Sequence, residues 1–348
     1  MGNLALHLKE LVEDGASLSQ EQAAAALREM LEGEASDIAI AALLTAMATR
    51  GATAAELTGF VQAMRERLRP IPLSAEERAQ LVDTCGTGGG CGDTFNISTG
   101  AALASAAAGV KVAKHGNRGV TSRSGSADVL EAMGIPIDLE PEQAAACLRA
   151  TGFMFLMAPS HHPAMKRVQP VRRALGFRTI FNLAGPLCNP AGAEGQVLGV
   201  YGANAVSLVS ETLARLNARH AFVVHGRDGL DELTLNGISD AAEVRGRTVR
   251  LFQMSPADAG LESAPLSAVR GGDARENAAL LESILRGEKS PARDVVLLNA
   301  AAAAIVAGLA PDFTAGAGLV AEALDSGAGI ELLERLRRWG ARHPRPAA

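Results

Sequence analysis

Apolar side chains recur at helical spacing through the first 70 residues, and no strand-like alternation interrupts them. Leu4, Leu8 and Leu11 mark the first apolar face. Three further helices are predicted where a capping hydroxyl precedes an apolar run: residues 20–31, 37–49 and 54–68. The last of them begins with a capping box that pairs Thr53 with Glu56. The pattern therefore predicts a small helical domain.

The apolar period changes near residue 80, where short β-type runs begin to alternate with helices. Strands are predicted at residues 81–85, 110–113, 153–157, 197–201 and 221–225, and helices at 98–108, 126–133 and 205–216. Four more helices follow, at residues 276–285, 294–306, 317–324 and 330–339. This alternation is typical of a largely parallel sheet with helices on both faces.

The basic segment at residues 161–173 stands apart, and we interpret it as helical. We expect it to rejoin the N-terminal helices. The predicted fold class is α/β: a small all-helical N-terminal domain hinged to a larger α/β domain with a central mixed, mostly parallel sheet flanked by helices. The helical domain would comprise residues 1–72, completed by about residues 163–190. The α/β domain would comprise residues 73–162 and 191–348.

Composition excludes several classes of function. The 348 residues carry a formal charge of −5, which provides no diffuse basic field for DNA. Aromatic residues make up only 3%, which argues against base stacking with single strands. No apolar run reaches the ~20 residues of a membrane span, and no secretory signal is visible. The four cysteines lack metal-site spacing, so we expect a reducing, cytoplasmic setting.

The strongest chemical signal is a local excess of glycine. A predicted strand runs into five glycines within residues 86–92, and Asn96-Ile97-Ser98-Thr99 then opens a helix. Backbone N–H groups in such a loop can surround an anion, and the helix N-terminus adds partial positive charge. A tight turn with an N-cap is the alternative, but the combination favours phosphate binding. The segment is neither a P-loop nor a dinucleotide fingerprint.

Two further segments carry polar groups at predicted strand ends. Residues 114–128 contain three cations, three glycines and four hydroxyl side chains, which suits an anion-rich ligand at the edge of a parallel sheet. Asp231 and Glu232 follow another strand and are hard oxygen ligands that suit Mg²⁺. Taken alone, the acidic pair is better explained as an ordinary turn, and it gains weight from the two loops before it.

These segments, in this order, resemble the anthranilate phosphoribosyltransferases of tryptophan biosynthesis over nearly the whole chain. The resemblance depends on the following motifs: Gly86-Thr87-Gly88-Gly89, Thr94-Phe95-Asn96-Ile97-Ser98-Thr99, Lys114-His115-Gly116-Asn117-Arg118, Ser124-Gly125-Ser126-Ala127-Asp128, His162-Pro163-Ala164-Met165, Thr179-Ile180-Phe181-Asn182, Gly185-Pro186-Leu187 and Leu230-Asp231-Glu232. It implies a cytoplasmic homodimer that transfers the phosphoribosyl group of phosphoribosyl pyrophosphate to the amine of anthranilate, with Mg²⁺ as cofactor. No nucleic-acid or membrane partner is expected.

The resemblance also implies roles for individual residues. Those expected to bind phosphoribosyl pyrophosphate are Gly86, Gly88, Gly89, Thr94, Asn96, Ser98, Thr99, Lys114, Asn117 and Ser126. Those expected to face anthranilate are Gly86, His115, Asn117 and Arg172, and those expected to hold Mg²⁺ are Ser98, Asp231 and Glu232. Lys114, His115 and Asn117 would be catalytic. Arg172 suits the anthranilate carboxylate because a guanidinium makes a planar, two-pronged contact. His115 either accepts a proton or only packs beside the loop.

One position departs from the family pattern. The family usually carries Asp after Gly-Thr-Gly-Gly, whereas this chain has Gly90. We hypothesise that Asp93 substitutes for the missing carboxylate, and we regard Cys91 as incidental.

Two rival functions stay open at this stage. One is a pyrimidine nucleoside phosphorylase-like enzyme of the same architecture, which would use free phosphate and a nucleoside. The other is a non-catalytic, nucleic-acid-binding relative of the fold. The Asn-Ile-Ser-Thr and His-Gly-Asn-Arg segments weigh against the first rival, and the net charge of −5 weighs against the second.

Overall fold

The computed structural model describes residues 3–90, 94–119 and 123–343. Four helices begin the chain: α1 (Asn3–Glu13), α2 (Gln20–Glu32), α3 (Asp37–Arg50) and α4 (Ala54–Arg65). The predicted N-caps are confirmed, since Ser19, Ser36 and Thr53 each accept a hydrogen bond from the first turn of their helix. Helix α4 ends three residues earlier than predicted.

The second part of the chain forms a seven-stranded sheet in the order β3-β2-β1-β4-β5-β6-β7. Its strands are β1 (Leu81–Gly86), β2 (Lys111–Gly116), β3 (Phe153–Met157), β4 (Gly195–Gly199), β5 (His220–Gly226), β6 (Ser239–Arg245) and β7 (Thr248–Met254). The first five are parallel, and β6 and β7 add an antiparallel hairpin. The predicted mixed, mostly parallel sheet is confirmed. The hairpin was not predicted.

The remaining helices in the described part of the chain connect strands, cover the sheet or pack against the N-terminal helices. They are α5 (Ala75–Gln80), α6 (Ile97–Ala107), α7 (Ser126–Ala132), α8 (Pro141–Thr151), α9 (Ala158–His161), α10 (Gln169–Leu175), α11 (Ile180–Ala184), α12 (Ala203–Arg215), α13 (Ala274–Leu285), α14 (Pro291–Val306), α15 (Phe313–Asp325) and α16 (Ala328–Arg342). Alanine-rich α14 is buried between α6 and α15, because small side chains let helices approach closely. No helix in the described part of the chain is long and apolar enough to cross a membrane.

Two apolar cores form, one on each side of the sheet. The first is built by α6, α7, α8 and the C-terminal helices. The second joins the N-terminal helices to α10, α11, α12 and the other face of β4 and β5. Helix α10 packs on α3, and α11 packs on α4. The segment that follows β3 therefore lies against the helical bundle, as completion of that domain by residues 163–190 requires. The domain boundaries themselves stay a prediction.

Candidate active site

The chemistry-bearing segments predicted from the sequence gather where β1, β2, β4 and β5 end. Because the four strands are parallel, their carboxyl ends meet at one edge of the sheet. Strand β2 runs three residues further than predicted, and it pairs Lys114 with Phe155 and His115 with Leu156 of β3. Lys114 and His115 are therefore held rigidly in a strand instead of in the following loop.

Lys114 lies at the centre of this edge and is buried, with 1% of its surface exposed. Its Nζ donates to the backbone oxygen of Thr84 at 2.5 Å and to the hydroxyl of Ser98 at 3.3 Å. Burial lowers the pKa of Lys114, and the carboxylates of Asp83 and Glu232 oppose that shift. An ammonium whose hydrogen-bond partners are neutral and that meets little water is strongly attracted to any anion that enters the cleft.

Asp231 and Glu232 approach the same point from the turn after β5. Burial and the neighbouring Asp231 raise the pKa of Glu232 to about 8, although Lys114 and hydrogen bonds from the backbone and hydroxyl of Ser98 oppose the shift. Burial also raises the pKa of Asp231, to which the backbone of Gly88 donates a hydrogen bond. Two crowded carboxylates with raised pKa values are stabilised in their ionised form by a cation between them.

The three predicted Mg²⁺ ligands thus lie together, with Ser98 hydrogen-bonded to Glu232 and Glu232 adjacent to Asp231. In residues 3–90, 94–119 and 123–343, no group of three or more His, Cys, Asp and Glu side chains could hold a metal. The donor set fits Mg²⁺ rather than a caged transition metal, because Mg²⁺ is usually bound by one or two carboxylates together with substrate phosphates and water.

The glycine loop lies directly over Asp231, and this close contact explains the glycine at position 90. A Cβ at Gly90 would lie 2.4 Å from Asp231 Oδ1, and one at Gly199 would lie 1.7 Å from the Asp231 carbonyl oxygen. Thr87 N–H donates to Gly199 O at 2.9 Å, which ties the loop to β4. This arrangement leaves no room for the family's usual Asp at position 90. Cys91 and Asp93, the hypothesised substitute, lie outside the described residues.

An unpredicted cation, Arg178, holds the tip of the glycine loop. Its Nη2 donates to Gly89 O at 2.7 Å, and its guanidinium lies 4.4 Å from the ring centre of Tyr201. The backbone N–H of Tyr201 in turn donates to Thr87 Oγ1 at 3.1 Å. Residues that precede α11 and follow β4 therefore fix the loop from outside.

The start of α6 brings the next predicted residues to the cleft. The Asn96 amide donates to Ser124 O at 3.2 Å and accepts from Asn277 Nδ2 at 3.0 Å, which links it to α13. Thr94 is half-buried and forms an isolated bridge with Arg270. Thr99 is fully buried, and its hydroxyl has no partner in the part of the chain that the structure describes.

The loop after β2 is organised by Asp128, for which the sequence predicted no individual role. Its Oδ2 accepts from the N–H groups of Gly119 and Gly125, both at 2.9 Å, and its Oδ1 accepts from Arg118. Ser126 Oγ exchanges hydrogen bonds with the backbone of Asn117. Several donors that we attributed to a ligand are thus satisfied internally, Arg118 among them. Residues 120–122 lie outside the described part.

Arg172 and His115 lie on the side of the helical bundle. The Arg172 guanidinium stands 5.1 Å from the Phe181 ring centre, and burial lowers its pKa without an opposing carboxylate. The backbone N–H of His115 donates to Asp83 Oδ1 at 3.0 Å, and its ring Nε2 lies 3.3 Å from His162 Nε2. Burial and two neighbouring histidines hold the pKa of His115 well below its usual value.

Four residues around the site were missed by residue-level reasoning: Asp83, His162, Arg178 and Asn277. Asp83 is a charged residue within an apolar strand, and that mismatch in the sequence was the available signal. His162 lay in the basic segment that stood apart, and Arg178 lies just beyond that segment. Asn277 had no signal, because its contact with Asn96 joins residues 181 positions apart.

Comparison with known proteins identifies the family. Residues 78–330 match the α/β domain of a glycosyl transferase family, and residues 7–68 match the helical bundle domain of that family. The chain is 48% identical over 328 residues to the anthranilate phosphoribosyltransferase of Symbiobacterium thermophilum, covering 94% of this chain and 95% of the relative. It is 49% identical over 331 residues to that of Rubrobacter xylanophilus, covering 94% and 95%.

Solved structures give the same answer. The crystal structure of anthranilate phosphoribosyltransferase from Thermus thermophilus superposes with a TM-score of 0.89 at 42% identity, covering 97% of this chain and 99% of that one. The Saccharomyces cerevisiae enzyme in complex with PRPP and Mg superposes with a TM-score of 0.87 at 26% identity, covering 97% and 98%. Fold, length and sequence agree, and the chain belongs to the anthranilate phosphoribosyltransferases of the glycosyl transferase family.

Proposed function

We propose that the cleft at the ends of β1, β2, β4 and β5 is where this enzyme performs its family's reaction. The reaction transfers the phosphoribosyl group of phosphoribosyl pyrophosphate to the amine of anthranilate, giving N-(5-phosphoribosyl)anthranilate and pyrophosphate in tryptophan biosynthesis. The observation that carries the proposal is the convergence of one buried cation, Lys114, with the Asp231–Glu232 pair and the glycine loop.

The donor would lie along the glycine loop, with its pyrophosphate toward Lys114. As the amine attacks the anomeric carbon, the bond to the pyrophosphate oxygen breaks and negative charge grows on the leaving group. Lys114 and the loop amides would stabilise that charge, and such preorganised stabilisation is often the largest contribution to catalysis. The sequence supplies no nucleophile–base pair for a covalent intermediate, and the mechanism requires none.

We propose that Mg²⁺ binds between the donor and the acidic turn, held by Asp231, Glu232 and Ser98. When bound, the metal would neutralise charge on the pyrophosphate. Support comes from the raised pKa values of both carboxylates and from the Mg bound with PRPP in the yeast relative.

Anthranilate would enter from the side of the helical bundle, between Arg172 and His115. Arg172 is half-buried and offers its guanidinium without a competing carboxylate among the described residues. A planar guanidinium matches the anthranilate carboxylate and would orient its amine. A yeast relative has been solved with 4-fluoroanthranilate.

We further propose that the enzyme works as a homodimer. Helices α1 and α3 expose the large apolar side chains of Leu6, Val12 and Ile38, which a second copy could cover. A cytoplasmic setting is supported by Cys85, Cys147 and Cys188, which are buried free thiols as expected in a reducing compartment.

Thermal unfolding tests the donor assignment. Phosphoribosyl pyrophosphate with Mg²⁺ should raise the melting temperature of the parental enzyme, because a ligand that binds only the folded state stabilises it. The double variant Asp231→Asn with Glu232→Gln should lose the Mg²⁺-dependent part of that shift. Stabilisation by free phosphate with a pyrimidine nucleoside, and none by the donor, would instead support the phosphorylase alternative.

A further inference from the structure

His115 does not stand alone in the cleft but forms a pair with His162. The two Nε2 atoms lie 3.3 Å apart, and the rings are 5.2 Å apart between centres with an angle of 34° between their planes. Both side chains are buried, with 7% and 9% of their surfaces exposed. His115 belongs to β2, whereas His162 follows α9 at the start of the segment that rejoins the helical bundle.

Burial keeps both rings neutral near pH 7. It lowers the pKa of His162 to about 4 and holds that of His115 well below its usual value. The charged and titratable groups that face His115 are Lys114 on its own strand, Asp83 on β1, which accepts from its backbone, and His161 beside His162. A neutral imidazole has one N–H and one acceptor nitrogen. A hydrogen bond between the two facing Nε2 atoms therefore needs a proton on one of them and a lone pair on the other.

The surroundings of His162 decide which ring supplies that proton. The backbone of Cys188 acts to raise the pKa of the His162 ring, as a hydrogen-bond acceptor does. Because the Cys188 N–H is already bonded to Gly185 O at 3.0 Å, the group that acts on the ring is the Cys188 carbonyl. Since Nε2 faces His115, the donated proton is the one on His162 Nδ1. His162 Nε2 is then an acceptor, and His115 must donate through its own Nε2.

The remaining nitrogen of His115 is consequently a lone-pair acceptor. Among the described residues, His115 Nδ1 has no protein partner. It is also not one of the fully buried atoms that lack a partner, so it keeps contact with solvent. We propose that His162 is a positioning residue that fixes the tautomer of His115, so that Nδ1 accepts a proton from the attacking amine.

The proton balance is simple, and it depends on the function proposed above. As the nitrogen–carbon bond forms, the carbon–oxygen bond to pyrophosphate breaks and pyrophosphate keeps the electron pair. The amine nitrogen becomes positively charged and loses one proton, which His115 Nδ1 takes. His115 becomes an imidazolium whose Nε2–H remains hydrogen-bonded to His162, so the pair also stabilises the charge that the transfer creates.

Nitrogen-15 NMR of the ligand-free protein, labelled at histidine, tests the tautomer without reference to activity. The ¹⁵N shifts distinguish a protonated from an unprotonated ring nitrogen, and His115→Asn assigns the resonances. We expect the proton of His115 on Nε2. A proton on Nδ1 would overturn the proposal, whatever the outcome for the reaction itself.

Two variants of His162 test the consequence. His162→Phe keeps a ring but removes the acceptor, and we expect kcat to fall about tenfold or more with an unchanged KM for the donor, since positioned proton acceptors contribute about 10²–10⁴-fold. His162→Gln retains an acceptor oxygen and should recover most of the rate. Parental kcat in His162→Phe, or an equal loss in both variants, would show that His162 only packs. Absence of turnover in the parental enzyme would instead refute the proposed function.

Discussion

Gly90 offers a direct test of how the glycine loop and Asp231 depend on each other. In Gly90→Ala the new Cβ would lie 2.4 Å from Asp231 Oδ1 and 2.8 Å from Asp231 N. Ordinary contact begins near 3.4 Å, so the two segments must separate by about 1 Å. Overpacking of this kind costs about 1–3 kcal/mol.

The cost should appear in the response to Mg²⁺. The clash can be relieved by displacing the Asp231 carboxylate, which then binds Mg²⁺ less well. If this displacement weakens Mg²⁺ binding by about 2 kcal/mol, the Mg²⁺ concentration for half-maximal rate should rise about 30-fold. The assay is the decrease of anthranilate fluorescence at saturating donor, measured across a Mg²⁺ titration.

Gly88→Ala is the matched control. Gly88 has a φ of +66°, so a side chain strains the backbone, but a Cβ there would have no neighbour within 4 Å. This variant should destabilise the loop by about 1 kcal/mol. Its new side chain does not reach Asp231 and it keeps the Gly88 N–H that donates to that carboxylate, so the Mg²⁺ requirement should shift much less. Equal shifts in both variants, or a parental requirement in Gly90→Ala, would refute the coupling.

Two other substitutions separate binding from structure. Arg172→Ala should raise KM for anthranilate about 10- to 100-fold and leave KM for the donor nearly unchanged, because it removes a charge-assisted pair of about 1.5–3 kcal/mol; similar rises in both constants would contradict the assignment. Asp128→Asn should lower the free energy of unfolding by about 1–3 kcal/mol, because two loop N–H groups and Arg118 lose a charged acceptor. Burial acts to raise the pKa of Asp128, but those donors together lower it, so its stabilisation is present above about pH 4 and is lost as the pH falls through the folded-state pKa. Denaturant unfolding at several pH values should therefore show the parent and variant converging in acid, and a constant difference would count against this role.

Local signals in the sequence were sufficient for most of the fold. Ser19, Ser36 and Thr53 predicted helix starts correctly, because a cap and its helix are adjacent in the chain. The β6–β7 hairpin was missed, since β7 alternates poorly and carries exposed Arg250 and Leu251 at the sheet edge. The end of β2 is set by its pairing with β3, which is a tertiary effect. The glycine and charged residues near that end had indicated a loop instead of a strand.

The candidate site was less predictable than the fold. Glycines and carboxylates indicated the right strand ends, but the reason for Gly90 emerged only when Asp231 was seen beneath it. The number of donors in residues 114–128 suggested that most of them face an anion, but Asp128 satisfies several of them from within the loop. The contacts of Asp231 with Gly90 and of Asp128 with the loop N–H groups form only in the folded protein, and local sequence patterns do not show which residues meet.

Turnover of the Lys114→Met variant tests the central claim most directly. Methionine fills a similar volume, so the buried position stays packed while its charge is removed, and circular dichroism can verify the fold. With anthranilate, phosphoribosyl pyrophosphate and Mg²⁺, we expect kcat to fall about 10²-fold or more, since a preorganised group that stabilises transition-state charge contributes on that order. Near-parental turnover in this variant would contradict the assignment of the strand-end cleft as the active site.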